Sequence, residues 1–146
     1  MKLPNDFKEF LQLLNKHQVE YLLVGGYAVA YHGYPRATAD MDLWVHRTQD
    51  NAEKMIQALT AFGFSSPELS PEIFLKENQF IQLGMPPLRI ELVTSLTGVN
   101  FPECHAARVL DTIDTVEVSI ISLADLKANK RSAARHRDLD DLEHLP

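Results

Sequence analysis

The chain is 146 residues long and 45% hydrophobic, with 14 Lys and Arg against 20 Asp and Glu and a formal net charge of -6. That size and apolar content suit one core, so a single domain over residues 1–146 is expected. The acidic balance excludes non-specific coating of nucleic acid, which rests on positive charge, and the lone Cys104 excludes both an internal disulfide and a cysteine-based zinc cluster.

No run of 18 or more apolar residues occurs, and the opening MKLPNDFKEF has neither a basic start followed by an apolar run nor a small-residue cleavage site. A cytoplasmic location, away from any membrane, is the expectation. In residues 5–17, Phe7, Phe10, Leu11 and Leu14 recur at three- and four-residue spacing, which predicts an amphipathic helix with Asn5 or Asp6 as its cap. Tyr21 to Val24 is a short apolar run halted by Gly25-Gly26, and a helix-like AVAYH follows until Gly33 and Pro35 interrupt it. This reads as strand, tight turn, short helix.

From Asp40 to Val45 acidic and apolar residues alternate. A strand there puts Asp40, Asp42 and Trp44 on one face and Met41, Leu43 and Val45 on the other. Asp50 to Phe62 carries Ala52, Met55, Ile56, Leu59 and Phe62 at helical spacing, with Gly63 as the stop. Phe80–Leu83 and Leu88–Val93 predict two strands joined through Gly84-Met85-Pro86-Pro87. Cys104 is read as a small residue near a helix start. Val116–Ile121 is the last expected strand, and Ser122 caps a helical tail broken near residue 131. The alternation of helices and strands predicts an α/β domain with a mixed sheet.

The informative stretch is YLLVGGYAVAYHGYPRATADMDLWV, residues 21–45. Two carboxylates two residues apart on a strand repel at close range unless a cation or a proton relieves them. Oxygen ligands of this kind suit magnesium, with manganese as the alternative, and magnesium completes its shell with waters and substrate phosphates. Glu91 is the candidate third acid, because it puts a charge between Ile90 and Leu92 in an otherwise apolar strand. Three such acids could hold two metal ions about 3.5 to 4 Å apart, one activating an attacking hydroxyl and one neutralising a triphosphate. Gly25 and Gly26 let backbone N–H groups approach phosphate oxygens at a helix N-terminus.

The other candidates carry two readings each. Arg36 is a phosphate contact or an ion-pair partner of Asp40 or Asp42, and Thr38 is a site residue or a turn residue. Lys130 neutralises phosphate or is an exposed lysine, and Trp44 walls the nucleotide pocket or packs in the core. Lys127, Lys130, Arg131, Arg135 and Arg137 crowd basic charge into the tail, which predicts Lys130, Arg135 and Arg137 near the mouth of the cleft. The letters H-R-D-L at His136–Leu139 match a kinase catalytic loop, but the Asn at the required spacing and the G-x-G-x-x-G loop are missing. The histidines lack the pairing that zinc needs.

The glycine pair, Arg36-x-Thr38-x-Asp40-x-Asp42 and an acid in a later strand together resemble the polymerase beta-like nucleotidyltransferase superfamily, over nearly the whole chain. Within it the sequence looks most like short bacterial proteins of abortive-infection and toxin–antitoxin systems, and it is also similar to lincosamide and aminoglycoside nucleotidyltransferases. Leu126, Lys130, Arg135, Asp138 and Asp141 in the tail resemble the closing helices of the first group. The resemblance implies a nucleotidyltransferase fold, a mixed sheet with flanking helices and a C-terminal helical tail. It further implies metal ligation by Asp40, Asp42 and Glu91, nucleotide phosphates at the glycine turn, and transfer of a nucleoside monophosphate from a nucleoside triphosphate such as ATP to an acceptor hydroxyl. RNA or protein is the acceptor in the first group, with a cognate partner protein, and an antibiotic is the acceptor in the second. A silent module of the same fold that binds nucleotide or protein is the rival from another class. Two features depart from the pattern: many members have Ser where Gly26 stands, and Asp where Glu91 stands.

Overall fold

The computed structural model describes residues 1–146. Helix α1 (Asn5–Lys16) buries Phe7, Phe10, Leu11 and Leu14, the stripe set by their spacing. Strand β1 (Tyr21–Val24) is buried at every position. Helix α2 (Gly25–Tyr31) follows without a linker, so the glycine pair is the first turn of the helix and not a turn ahead of it. Gly25 makes that possible: its φ of 66° is a left-handed conformation that an L side chain rarely adopts.

Strand β2 (Asp40–Val45) leads to helix α3 (Gln49–Phe62), where the Thr48 side chain accepts from the Asn51 N–H and Gly63 closes the C-terminus at φ 107°. A 3-10 turn (Pro71–Phe74) buries Phe74. Strands β3 (Phe80–Met85) and β4 (Leu88–Val93) form a hairpin. β3 runs two residues past Leu83, which leaves Pro86-Pro87 as the turn, where a missing N–H removes no ladder bond.

Helix α4 (Phe101–Ala106), capped by Asn100, holds Cys104 within it, while edge strand β5 (Val109–Ile113) was not among the expected elements. β5 escapes a sequence reading because Leu110, Asp111 and Thr112 in its middle are all exposed, so no hydrophobic alternation marks it. Strand β6 (Val116–Ile120) is followed by α5 (Leu123–Ala133), capped by Ser122, and α6 (His136–His144). The two helices part at Ala134, at φ 51°, a few residues later than the sequence suggested.

The six strands form one mixed sheet in the order β3-β4-β2-β1-β6-β5. β2 pairs with β4 and β1 with β6 in parallel, and the remaining pairs are antiparallel. Met41, Leu43, Ile90 and Leu92 are buried, and Ile90 shares a small cleft with Phe7 of α1 and Phe62 of α3. Strand alternation therefore turns Asp40, Asp42 and Glu91 to the opposite face. Phe10 meets Phe62 edge-on at 5.0 Å, locking α1 to α3. No helix is long and apolar enough to cross a membrane.

Candidate active site

The parallel pairing of β2 with β4 places Asp42 directly beside Glu91 and Asp40 beside Arg89. The acids thus meet across neighbouring strands, as the alternation in each strand requires. Burial pushes the Asp42 carboxyl up to about 8, and the hydrogen bond and negative charge of Glu91 act in the same direction, as does Asp40, while Arg137 opposes them. The same bond with Asp42 holds Glu91 down, with Gln82 assisting through Nε2–H to Oε1 at 3.1 Å. Two carboxyls this close resist being ionised together, and the resistance falls on Asp42.

Asp40 is the outlying acid. Arg89 donates to it from Nε at 3.4 Å and from Nη2 at 3.3 Å, and Asp40 does not line the cavity into which Asp42 and Glu91 open. Arg89 escaped the sequence reading. Its signal was its position two residues before Glu91, on the acids' face.

The cavity holds about 400 Å³ and is lined by Gly25, Gly26, Asp42 and Glu91 together with Arg36, Lys130, Arg135 and Arg137. Both glycines are required by close approach. A Cβ on Gly25 would overlap the Asp42 carboxylate, and one on Gly26 would stand 2.7 Å from Thr38 Oγ1 and 3.4 Å from Arg36 Nη1. The departure from Ser at position 26 thus has a local cause: the Thr38 hydroxyl fills the space that a side chain there would need. Thr38 also donates to the Asp40 carbonyl at 3.3 Å, fixing the approach to β2.

The cations of this cavity are organised by α6. Asp138 and Asp141, three residues apart on the helix, are wholly buried. Asp141 receives Arg36 Nε at 2.9 Å and Nη2 at 3.1 Å, and Lys130 Nζ lies 2.9 Å from Asp141 and 3.1 Å from Asp138. Arg135 reaches Asp138 through Nε at 2.7 Å. Burial works against the Asp138 charge, but the hydrogen bonds from Arg135 and Lys130 outweigh it and hold the group down at about 2.

Arg36 therefore pairs with neither Asp40 nor Asp42, and Lys130 is a buried ion-pair member instead of an exposed lysine. The tail cations do reach the cavity. Two buried carboxylates offset much of their charge, and Arg137, exposed and in no ion pair, is the one left free to meet an incoming anion.

Trp44 is 2% exposed and packs edge-on against Phe101, lining a separate cavity of about 380 Å³. It is no wall of the carboxylate cavity. His46 and His105 stack on Phe101, and His32 bonds the Ile121 carbonyl, so these histidines are satisfied structural residues. Cys104 is buried in α4, and burial pushes its thiol up to about 12.

No protein-family model matches the sequence, and neither does any curated protein. Solved structures do. A candidate nucleotidyltransferase from Thermotoga maritima superposes with a TM-score of 0.63 at 14% identity, covering 94% of this chain and 88% of its own. An antigenic nucleotidyltransferase-like protein from Paracoccidioides brasiliensis superposes with a TM-score of 0.56 at 18% identity, covering 94% of this chain and 72% of its own. The chain has the nucleotidyltransferase fold, with its mixed sheet and flanking helices.

Proposed function

We propose that this chain transfers a nucleoside monophosphate from a nucleoside triphosphate to an acceptor hydroxyl, releasing pyrophosphate. The observation that carries the reading is the meeting of Asp42 and Glu91, in register on neighbouring strands, in one cavity with the glycine turn and Arg137.

The donor set fits a divalent cation. Asp42 and Glu91 are hard oxygen ligands set side by side on neighbouring strands, where their mutual repulsion calls for a cation, and Asp40 stands next on the same face. Magnesium or manganese there would neutralise the triphosphate and lower the cost of ionising the attacking hydroxyl. Gly25 and Gly26 bring the first N–H groups of α2 up to the phosphates, and Arg137 supplies the matching charge. Arg36, held by Asp141 against Gly26, and Thr38 shape the same turn. Lys130 acts through Asp138 and Asp141, keeping α6 seated over the cavity.

In the transfer, the acceptor oxygen bonds to the α-phosphorus, the bond from that phosphorus to the pyrophosphate oxygen breaks, and the acceptor proton passes to Glu91. The likeness of the tail to abortive-infection and toxin–antitoxin proteins supports an RNA or protein hydroxyl as acceptor, with a cognate partner protein in the cytoplasm. The test is incubation in host lysate with each nucleoside triphosphate labelled at the α-phosphate. Label should appear on one class of molecule with the wild type and on none with Asp42→Asn. Equal labelling by both proteins would refute the assignment.

A further inference from the structure

The carboxylate cavity is unlike at its two ends. The sheet order runs β1, β2, β4, β3, so the row Val24, Asp42, Glu91, Gln82 crosses three inter-strand spacings, roughly 14 Å, with Gly25 following Val24 at its β1 end. At the β1 end stand the glycines, with Arg36 against Gly26. Where β3 begins and β4 ends, the lining includes Phe80, Val93 and Leu96.

Phe80 is the unexpected member. It opens β3 and faces Val93 across the hairpin, one step of the alternation from the pair Gln82 and Glu91. Its ring therefore lies on the acids' face, about 7 Å along the strand from the carboxylate row. It is nevertheless 57% exposed, so the ring contributes little to the core and presents an aromatic surface to the cavity.

We propose that Phe80 is the stacking platform for the base of the bound nucleotide, with Val93 and Leu96 as the apolar surround. This rests on the triphosphate site proposed above. A nucleoside triphosphate laid along the row, phosphates at the glycine turn, brings its base to the β3 end, since the length of the row is of the order of the extended molecule. Every base has a π face, so such a platform gives affinity with little choice among bases beyond a preference for the larger purines. The site then takes ATP and GTP alike, and both ahead of CTP and UTP.

Calorimetric titration of the full chain with ATP and with inorganic tripolyphosphate, each with magnesium, tests the proposal, the melting temperature serving to confirm that each variant is folded. Phe80→Ala should weaken ATP by about 5- to 150-fold and leave tripolyphosphate unchanged, while Phe80→Trp retains ATP affinity. Unchanged ATP affinity in Phe80→Ala would overturn the proposal, as would an equal loss for ATP and tripolyphosphate. Wild-type protein that binds neither ligand would overturn the triphosphate site itself, a failure distinct from that of the platform.

Discussion

Arg36 and Asp141, 105 residues apart in sequence, are joined by two parallel hydrogen bonds of 2.9 and 3.1 Å that tie the loop before β2 to the last helix. The carboxylate is fully buried and shared with Lys130, so its loss strands two cations against a low-dielectric interior.

Asp141→Asn should therefore destabilise the fold by about 3 kcal/mol or more, in the range for breaking a buried ion pair. Urea denaturation checks it. A change below about 1 kcal/mol, the scale of a surface pair, would mean that Arg36 and Lys130 find solvent when Asp141 is neutral.

Gly26→Ser tests why this chain departs from the more common residue at the turn. The new Cβ would meet Thr38 Oγ1 at 2.7 Å and Thr38 Cβ at 2.9 Å. Overpacking of this kind costs about 1–3 kcal/mol. Thr38→Ala in the same chain should recover part of that loss, because it removes the closer atom. Thermal melts that show Gly26→Ser as stable as wild type would rule out the steric account.

Glu91→Gln keeps the shape of the side chain and an oxygen acceptor for Gln82, which now donates to Glu91 at 3.1 Å. If Glu91 accepts the acceptor's proton, single-turnover transfer should fall by about 10² to 10⁴ while triphosphate affinity changes little. A variant that transfers at the wild-type rate would assign the proton to another group.

Acid stability follows from Asp138. Its folded pKa, about 2, lies below the ordinary 3.8, so the charged form is the one that the fold favours. The contribution is fully present above about pH 4 and is lost as the pH falls from there toward 2, where the folded group takes up its proton. Urea midpoints measured between pH 5 and 2 should fall with pH, and more gently in Asp138→Asn, which has no proton to take up. Parallel slopes in the two proteins would place the acid transition elsewhere.

Much of this arrangement was legible in the sequence because its signals are local. Alternation alone put Asp40 and Asp42 on one face of a strand, and the break in the apolar run at Glu91 marked a carboxylate that the core could not want. The stripe of Phe7, Phe10, Leu11 and Leu14 and the stop at Gly63 set α1 and the end of α3 in the same way. A strand such as β5, with three exposed residues in its middle, has no such pattern, since what holds it is its pairing with β6.

Partner choice was decided only by the tertiary structure, because charge is visible in a sequence but the distance between charges is not. The sequence determined that Arg36, Lys130 and Arg135 were cations near an acidic site. The packing of α6 determined that Asp138 and Asp141 would hold them, leaving Arg137 free. The sequence also supplied Gly26 and Phe80, but the reason for one and the exposure of the other came from the chain's own contacts. Thr38 fills the room at the turn, and the β3–β4 register carries the Phe80 ring onto the carboxylate face.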